Sequence, residues 1–159
     1  MRRSDREIIN IEEKISIIQK CKVCRIGLST NDEPYIVPLN YGYDFTDNKL
    51  TLFFHSAVEG KKIEIINKNN NACFEIDCEN KLIEGEKACN YSCAFKSIIG
   101  FGKIFIIENM DEKIKGLNSI MQHQTDSATV FNFSSENLQK VLVYKMVVGE
   151  FTGKQKNVM

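Results

Sequence analysis

The chain has no excess charge of either sign: its 159 residues include 21 basic and 21 acidic side chains. A bulk nucleic-acid binder needs a net basic surface to neutralise phosphates, so that class is set aside. No apolar run approaches the ~18 residues of a membrane-spanning helix. The charged opening Met1-Arg2-Arg3-Ser4-Asp5-Arg6-Glu7 is followed by no signal-type apolar stretch. A cytosolic protein without membrane or nucleic-acid partners is therefore expected. Arginine is scarce, with four residues, three of them among the first six. Histidine is scarcer still, present only as His55 and His123. No repeat, linker or low-complexity tract divides the sequence, so one domain over residues 1–159 is expected. The rest is ordinary globular material, 43% apolar and 26% charged. A chain of this length buries roughly 68–70% of its unfolded surface without needing staples.

Six cysteines stand at positions 21, 24, 73, 78, 89 and 93. Cys21-x-x-Cys24 has zinc-knuckle spacing. It leads straight into a strand-like run, however, where positions three apart face opposite sides. Cys73 and Cys78, five apart, meet the same objection. Zinc and a redox disulfide are the alternatives; reduced, metal-free thiols are the expectation, as free cysteine is a small core residue.

Periodicity supplies the elements. Ser4-x-x-Glu7 reads as a capping box opening a helix to Gln19, with Ile8, Ile11, Ile15 and Ile18 on one face. From Val23 the period falls to two. Asn31-Asp32-Glu33-Pro34 is a turn, and Tyr35 to Tyr43 alternates as one strand. Pro38 within it implies an edge, a bulge or a nearby ligand. Lys49–His55 follows as a strand, Lys61–Asn69 as a short helix, and Ala72–Cys78 as a strand, with Leu82–Glu84 a further short one. Ala94–Glu108 is a long strand that Gly100 and Gly102 bend. Asp111–Gln124 is helical, Asn137–Lys140 one helical turn, and Val141–Phe151 the last strand. Consecutive strands on tight turns predict a mainly β, α+β fold: an antiparallel sheet closing into a small barrel, with flanking helices.

The chemistry-bearing segment is Phe53-Phe54-His55-Ser56-Ala57-Val58-Glu59-Gly60-Lys61-Lys62. A strand end, a small-residue loop and a lysine-bearing helix start bring together free backbone N–H groups, a hydroxyl and positive charge, which suits a phosphate. A capped helix with two solvated lysines accounts for the same residues, and no dinucleotide or P-loop glycine pattern decides between them.

Six pieces in register resemble the pyridoxamine-5'-phosphate-oxidase-related flavoproteins with a split β-barrel, and within them the nitroimidazole-resistance (Nim) type. They are the opening Met-Arg-Arg, Pro34-Tyr35-Ile36-Val37-Pro38-Leu39-Asn40-Tyr41, Phe54-His55-Ser56-Ala57-x-x-Gly60-Lys61-Lys62, Ser97-Ile98-Ile99-Gly100-Phe101-Gly102-Lys103, Ile120-Met121-x-His123-x-Thr125 and Thr152-Gly153-Lys154. The resemblance implies flavin mononucleotide (FMN) at a homodimer interface. It implies that Val37, Pro38, Leu39, Asn40 and Tyr41 run along the isoalloxazine, partly through backbone groups. Phe54, His55, Ser56, Lys61 and Lys62 would hold the ribityl and phosphate end, and Ser97 and Ile98 would reach the flavin from the long strand. Tyr41 and Tyr43 are aromatic candidates near the ring, or else part of a barrel-face stripe; Ser97 has the alternative of facing a strand neighbour.

By the same resemblance His55 lies near the flavin ring, and it is the one catalytic candidate, as a proton donor or acceptor. His123, late on its helix, suits a helix C-terminus. The implied function is an FMN-dependent oxidoreductase, nitroreductase-like, passing electrons from a donor such as NAD(P)H to a small acceptor. A flavin-binding module without turnover and a haem-binding or haem-degrading protein are the alternatives. The chain departs from pyridoxamine-phosphate oxidases proper, which close on Arg-Leu-x-Pro and grip the substrate phosphate with basic residues. Here the end is Thr-Gly-Lys-Gln-Lys-Asn-Val-Met, so vitamin B6 oxidation is not expected.

Overall fold

The computed structural model describes residues 3–30 and 33–157. The turn expected at Asn31-Asp32 lies outside the described residues, as does the opening Met1-Arg2. The elements are β1 (Glu7–Ile8), α1 (Ile11–Lys20), β2 (Val23–Thr30), β3 (Glu33–Asn40), β4 (Gly42–Thr46), β5 (Lys49–Ser56), α2 (Lys61–Lys68), β6 (Asn71–Ile83), β7 (Ser92–Ile106), α3 (Met110–Thr125), α4 (Ser135–Lys140) and β8 (Leu142–Lys156). A single antiparallel sheet runs in the order β3-β2-β6-β7-β8-β5-β4, with β1 paired to the far end of β8. The ladder curls but does not close, so the barrel is split and β3 and β4 are its free edges.

Two apolar clusters hold the sheet. Inward-facing residues such as Ile26, Leu52, Phe54, Phe74, Ile76, Ile98, Tyr144 and Met146 pack with Ile17 and Ile18 of α1 and Ile63 and Ile66 of α2. On the other face of β5 and β8, Phe53 and Val143 pack with Leu117 and Ile120 of α3 and Leu138 of α4. Strand alternation serves both: Phe53 and Phe54, adjacent in sequence, belong to different clusters.

The first helix begins later than the capping box suggested. Asn10 is the cap, its Oδ1 accepting from the Glu12 and Glu13 amides at 2.7 and 3.2 Å. Glu7 and Ile8 instead pair with Lys154 and Gly153. Burial of Ile8 in the main cluster outweighs the local capping signal. The strand expected over Tyr35–Tyr43 is two strands, because Tyr41 turns inward. Its hydroxyl donates to the carbonyls of Ile18 (2.5 Å) and Cys21 (3.0 Å). Gly42 then brings β4 so close to α3 that a side-chain carbon there would lie 2.4 Å from the Ile120 amide nitrogen. Residues 71–83 form one strand rather than two, bulged between Cys78 and Lys81 with Glu79 at φ 60°. The bend expected at Gly100 and Gly102 appears as a register shift between Phe101 and Gly102. Pro38 lies on an edge strand, where a residue without an N–H is tolerated.

Cys21 is not on the strand; it is the residue that ends α1. Its thiol contacts the Asp77 carbonyl at 3.4 Å. Burial, with the Cys78 thiol beside it, pushes its pKa up to about 12. The six cysteines are free thiols, and among the described residues no three His, Cys, Asp or Glu side chains converge as a metal site. No helix among the described residues is long and apolar enough to cross a membrane.

Candidate functional site

The loop between β5 and α2 gathers hydrogen-bond donors. Gly60 precedes the helix at φ 138°, a backbone state that side chains rarely adopt, and the space beside it is open. No side chain caps α2. The amides of Ile63 and Glu64 are satisfied by the Gly60 carbonyl at 2.9 and 3.1 Å. Those of Lys61 and Lys62, at the first two helical positions, face outward by helix geometry. Ser56 ends β5, its hydroxyl donating to the Ala57 carbonyl at 2.8 Å. Lys61 sets its ammonium 5.1 Å from the centre of the Tyr35 ring, which ties the start of β3 to this loop. His55 is exposed; partial burial and then the charge of Lys62 lower its pKa below the ordinary value. By alternation it faces the side of Phe53, and Ser56 the side of Phe54, so the two flank the strand end from opposite faces.

On the other side of β3, the outer face of β3-β2-β6-β7 carries exposed apolar side chains around the Arg25–Glu75 pair. Two rows cross it: Ile36–Gly27–Cys73–Phe101 and Pro38–Arg25–Glu75–Ile99. Gly27 contributes no side chain, and a groove of about 810 Å³ lies over it, lined by Tyr35, Ile36, Cys73, Ile99 and Phe101 among others. Ile36, Ile99 and Phe101 are 69%, 47% and 54% exposed. Arg25, the one arginine beyond the first six residues, is held by Glu75 at 2.9 Å and Asp77 at 2.5 Å. It is thus committed to carboxylates.

The sequence-predicted residues fall into groups. Ser56, Lys61 and Lys62 are together. Phe54, Tyr41 and Ile98 are fully buried, so their side chains belong to the core. Phe54 stacks on Tyr144 with ring centres 5.6 Å apart. The Tyr41 carbonyl is also engaged, by His123 at 2.7 Å and Gln124 at 3.1 Å. Val37 and Leu39 face inward; Pro38 and Asn40 are exposed, and the Asn40 amide donates to Gln124 and to the Lys22 carbonyl. Tyr43 packs edge-on against His123 at 5.3 Å. Ser97 and Ile98 are far from the loop along the sheet. Ser56 pairs with Leu142 at one end of β8, and Ser97 with Lys154 near the other. Twelve residues of strand separate those partners, roughly 40 Å if straight at about 3.3 Å each.

His123 is not a simple helix cap. It is buried, with Nδ1 on the Tyr41 carbonyl and Nε2 on the Gln19 carbonyl at 3.0 Å. Neither ring nitrogen is left for an axial ligand. Sequence reasoning missed Tyr35 and Tyr144. Tyr35 lies only four residues after Asn31, before the stretch read as flavin-lining. Tyr144 sits in the alternation of Val143-Tyr144-Lys145-Met146, a pattern that marks its face but not its neighbours.

A family model for pyridoxamine 5'-phosphate oxidase matches residues 10–155. The chain belongs to that family. Among solved structures, a candidate 5-nitroimidazole antibiotic resistance protein from Bacteroides thetaiotaomicron VPI-5482 is 35% identical, with 94% of this chain and 86% of that one covered and a TM-score of 0.81. The flavocytochrome Anf3 of Azotobacter vinelandii is 14% identical, covering 99% and 72% with a TM-score of 0.81. The FAD and haem binding protein of Mycobacterium smegmatis is 13% identical, covering 96% and 74% at 0.80. These last two share the fold. No curated protein sequence matches the chain.

Proposed function

We propose that the protein binds FMN and works as an oxidoreductase of the nitroimidazole-resistance type. The observation that carries this reading is the donor-rich, uncapped start of α2, with Ser56, Lys61 and Lys62, beside the edge strand β3, whose Tyr35 ring meets Lys61 on the inner side and whose Ile36 lines an apolar groove on the outer side. The donor set fits a phosphate: two free amides, a hydroxyl and two ammonium groups. The groove fits a flat aromatic ring. Its edge strand, β3, also fits, since the backbone groups on one side of an edge strand lack a ladder partner, which leaves the Val37–Asn40 stretch free to bond a ring through main-chain atoms.

Ser97 and Ile98 join the same site from a second copy of the chain. The separation along β8 supports this, as does the exposed apolar face, which a homodimer would cover. Bound flavin supplies hydride and electron transfer between a reduced donor such as NAD(P)H and a small acceptor, nitroaromatics among them. His55 handles the proton. In the free protein its lowered pKa favours the neutral ring, an acceptor at its imidazole nitrogen. Were a phosphate bound nearby, its charge would oppose that shift, so that the His55 ring would take a proton from solvent and could deliver it to the acceptor. The scarcity of arginine, and the pairing of Arg25 with carboxylates, speaks against a phosphorylated vitamin substrate.

The test is an absorption spectrum of the purified protein, a titration of apoprotein with FMN, and NAD(P)H oxidation with and without a nitroaromatic acceptor. Flavin bands, saturable FMN binding and acceptor-dependent oxidation are expected. A Soret band without flavin, or no FMN binding, would overturn the reading. Tight binding without turnover would reduce it to a flavin carrier.

A further inference from the structure

Tyr144 carries a hydroxyl that the fold has sealed in without a partner. The residue is 1% exposed, and its phenol oxygen completes no hydrogen bond among the described residues. Buried hydroxyls are normally paired, so one that is not calls for an account. The ring position is fixed. Tyr144 lies opposite Phe54 in the β5–β8 ladder and stacks on it, with the planes 25° apart. Ser56 is two residues beyond Phe54 on the same strand face, which makes it the diagonal neighbour of Tyr144, within reach of a long aromatic side chain. The Ser56 hydroxyl is also the polar group that offsets, in part, the upward push of burial on the Tyr144 phenol.

Ser56 has one proton and two lone pairs. Its proton now goes to the Ala57 carbonyl, inside its own loop. A phosphate has only acceptors to offer at this site, so Ser56 can hold one only by turning that proton outward. The turn is favoured if another donor fills the serine oxygen from behind, and the phenol of Tyr144 is the buried group with a proton to spare.

We propose that Tyr144 is a positioning residue for the phosphate end of FMN: its hydroxyl donates to Ser56 and so aims the serine proton at the ligand. The inference rests on the reading of the β5–α2 loop as a phosphate site and adds a residue to it. It gives the orphaned hydroxyl a use that exists only in the bound state. Tyr144 touches no ligand itself and acts through Ser56.

Tyr144→Phe removes the hydroxyl and keeps the stacked ring, so the variant folds. Binding of FMN, riboflavin and inorganic phosphate to the apoprotein is measured for wild type, Tyr144→Phe, Ser56→Ala and the double variant, together with urea unfolding of each apoprotein. Tyr144→Phe is expected to weaken FMN about tenfold, the scale of one charge-assisted hydrogen bond, and to leave riboflavin unchanged. The apoprotein's urea midpoint holds or rises, because an unpaired buried donor has gone. In the Ser56→Ala background the second substitution has no further effect on FMN. Equal weakening of FMN and riboflavin, a lowered apoprotein midpoint, or additive losses in the double variant would each overturn the proposal, by making Tyr144 a plain core residue. Unchanged FMN affinity in Tyr144→Phe overturns it too, and leaves the phosphate site standing. Wild-type protein that binds FMN no more tightly than riboflavin overturns the phosphate site and this inference with it.

Discussion

The Nδ1 atom of His123 lies 2.7 Å from the carbonyl oxygen of Tyr41. Its other ring nitrogen is 3.0 Å from the Gln19 carbonyl, so one imidazole joins α3 to the end of α1 and to the corner between β3 and β4. The Tyr41 hydroxyl donates to carbonyls of the same helix end. His123→Ala should therefore destabilise the protein by about 2–4 kcal/mol, as a cavity opens and the Gln19 carbonyl is left unpaired. Tyr41→Phe, which removes only hydrogen bonds, should cost about 1–3 kcal/mol. Urea unfolding of the apoprotein measures both. A His123→Ala variant as stable as wild type would remove the node from the account.

Lys62→Ala should weaken FMN roughly tenfold to a hundredfold, the range of charge-assisted contacts, with riboflavin affected little. Lys61→Ala is the comparison. Its ammonium sits over the Tyr35 ring, so its loss should touch both ligands if that ring lines the flavin site. Fluorescence quenching on titration separates the cases. Equal losses for FMN and riboflavin in Lys62→Ala would show that this lysine does not contact phosphate.

The exposed apolar face predicts association. Sedimentation should give a species of twice the chain mass, and Phe101→Asp, at the β7 end of the Ile36–Phe101 row, should yield monomers with lost flavin affinity. An interface able to hold such a dimer buries on the order of 2,000 Å² or more. A monomeric wild type that retains flavin would exclude the shared site.

His55 should make the apoprotein acid-sensitive. Its folded pKa lies below the ordinary 6.5. The unfolded chain therefore takes up a proton first as pH falls, and stability is lost from about the ordinary value downward until the folded ring is protonated as well; above that window the contribution is complete. His55→Gln should flatten this part of the stability–pH curve, and FMN should raise the His55 pKa in an NMR titration. A His55 that titrates at or above its ordinary value in apoprotein would contradict the first statement.

Thiol labelling should sort the cysteines by position. Cys89 and Cys93 are exposed and should react within the first phase; Cys24, and Cys21 with its pKa pushed to about 12, should react only on unfolding. Fast labelling of Cys21 in the folded protein would be inconsistent with its place at the end of α1.

Much of this was legible from residue order, because period-two and helical patterns report which face of a local element is apolar. β2, β5, α2, α3 and the bend in β7 follow directly from that. What failed was decided at a distance. The Ser4–Glu7 signal lost to pairing with β8, and the strand through Tyr41 broke because two carbonyls of α1 and a histidine of α3 claim that residue. The candidate site divides in the same way. Ser56, Lys61 and Lys62 are close in sequence and close in space. Tyr144 reaches Ser56 only across a ladder, which a single sequence does not display.

The pairing of Glu7 with Lys154 also sets the order in which the molecule can assemble. The β1–β8 contact joins residues 147 apart in sequence, and β7 and β8, fifteen residues each, pair with segments on both sides. A ribosome has to release the last strand before the first has anywhere to go. Folding rates fall as contacts become more distant in sequence, into the millisecond-to-second range for such topologies. Until then the unpaired edge of β7, with its exposed phenylalanines, is the part of a growing chain most open to mispairing. A short C-terminal truncation should accordingly cost soluble yield before it costs any residue of the flavin loop.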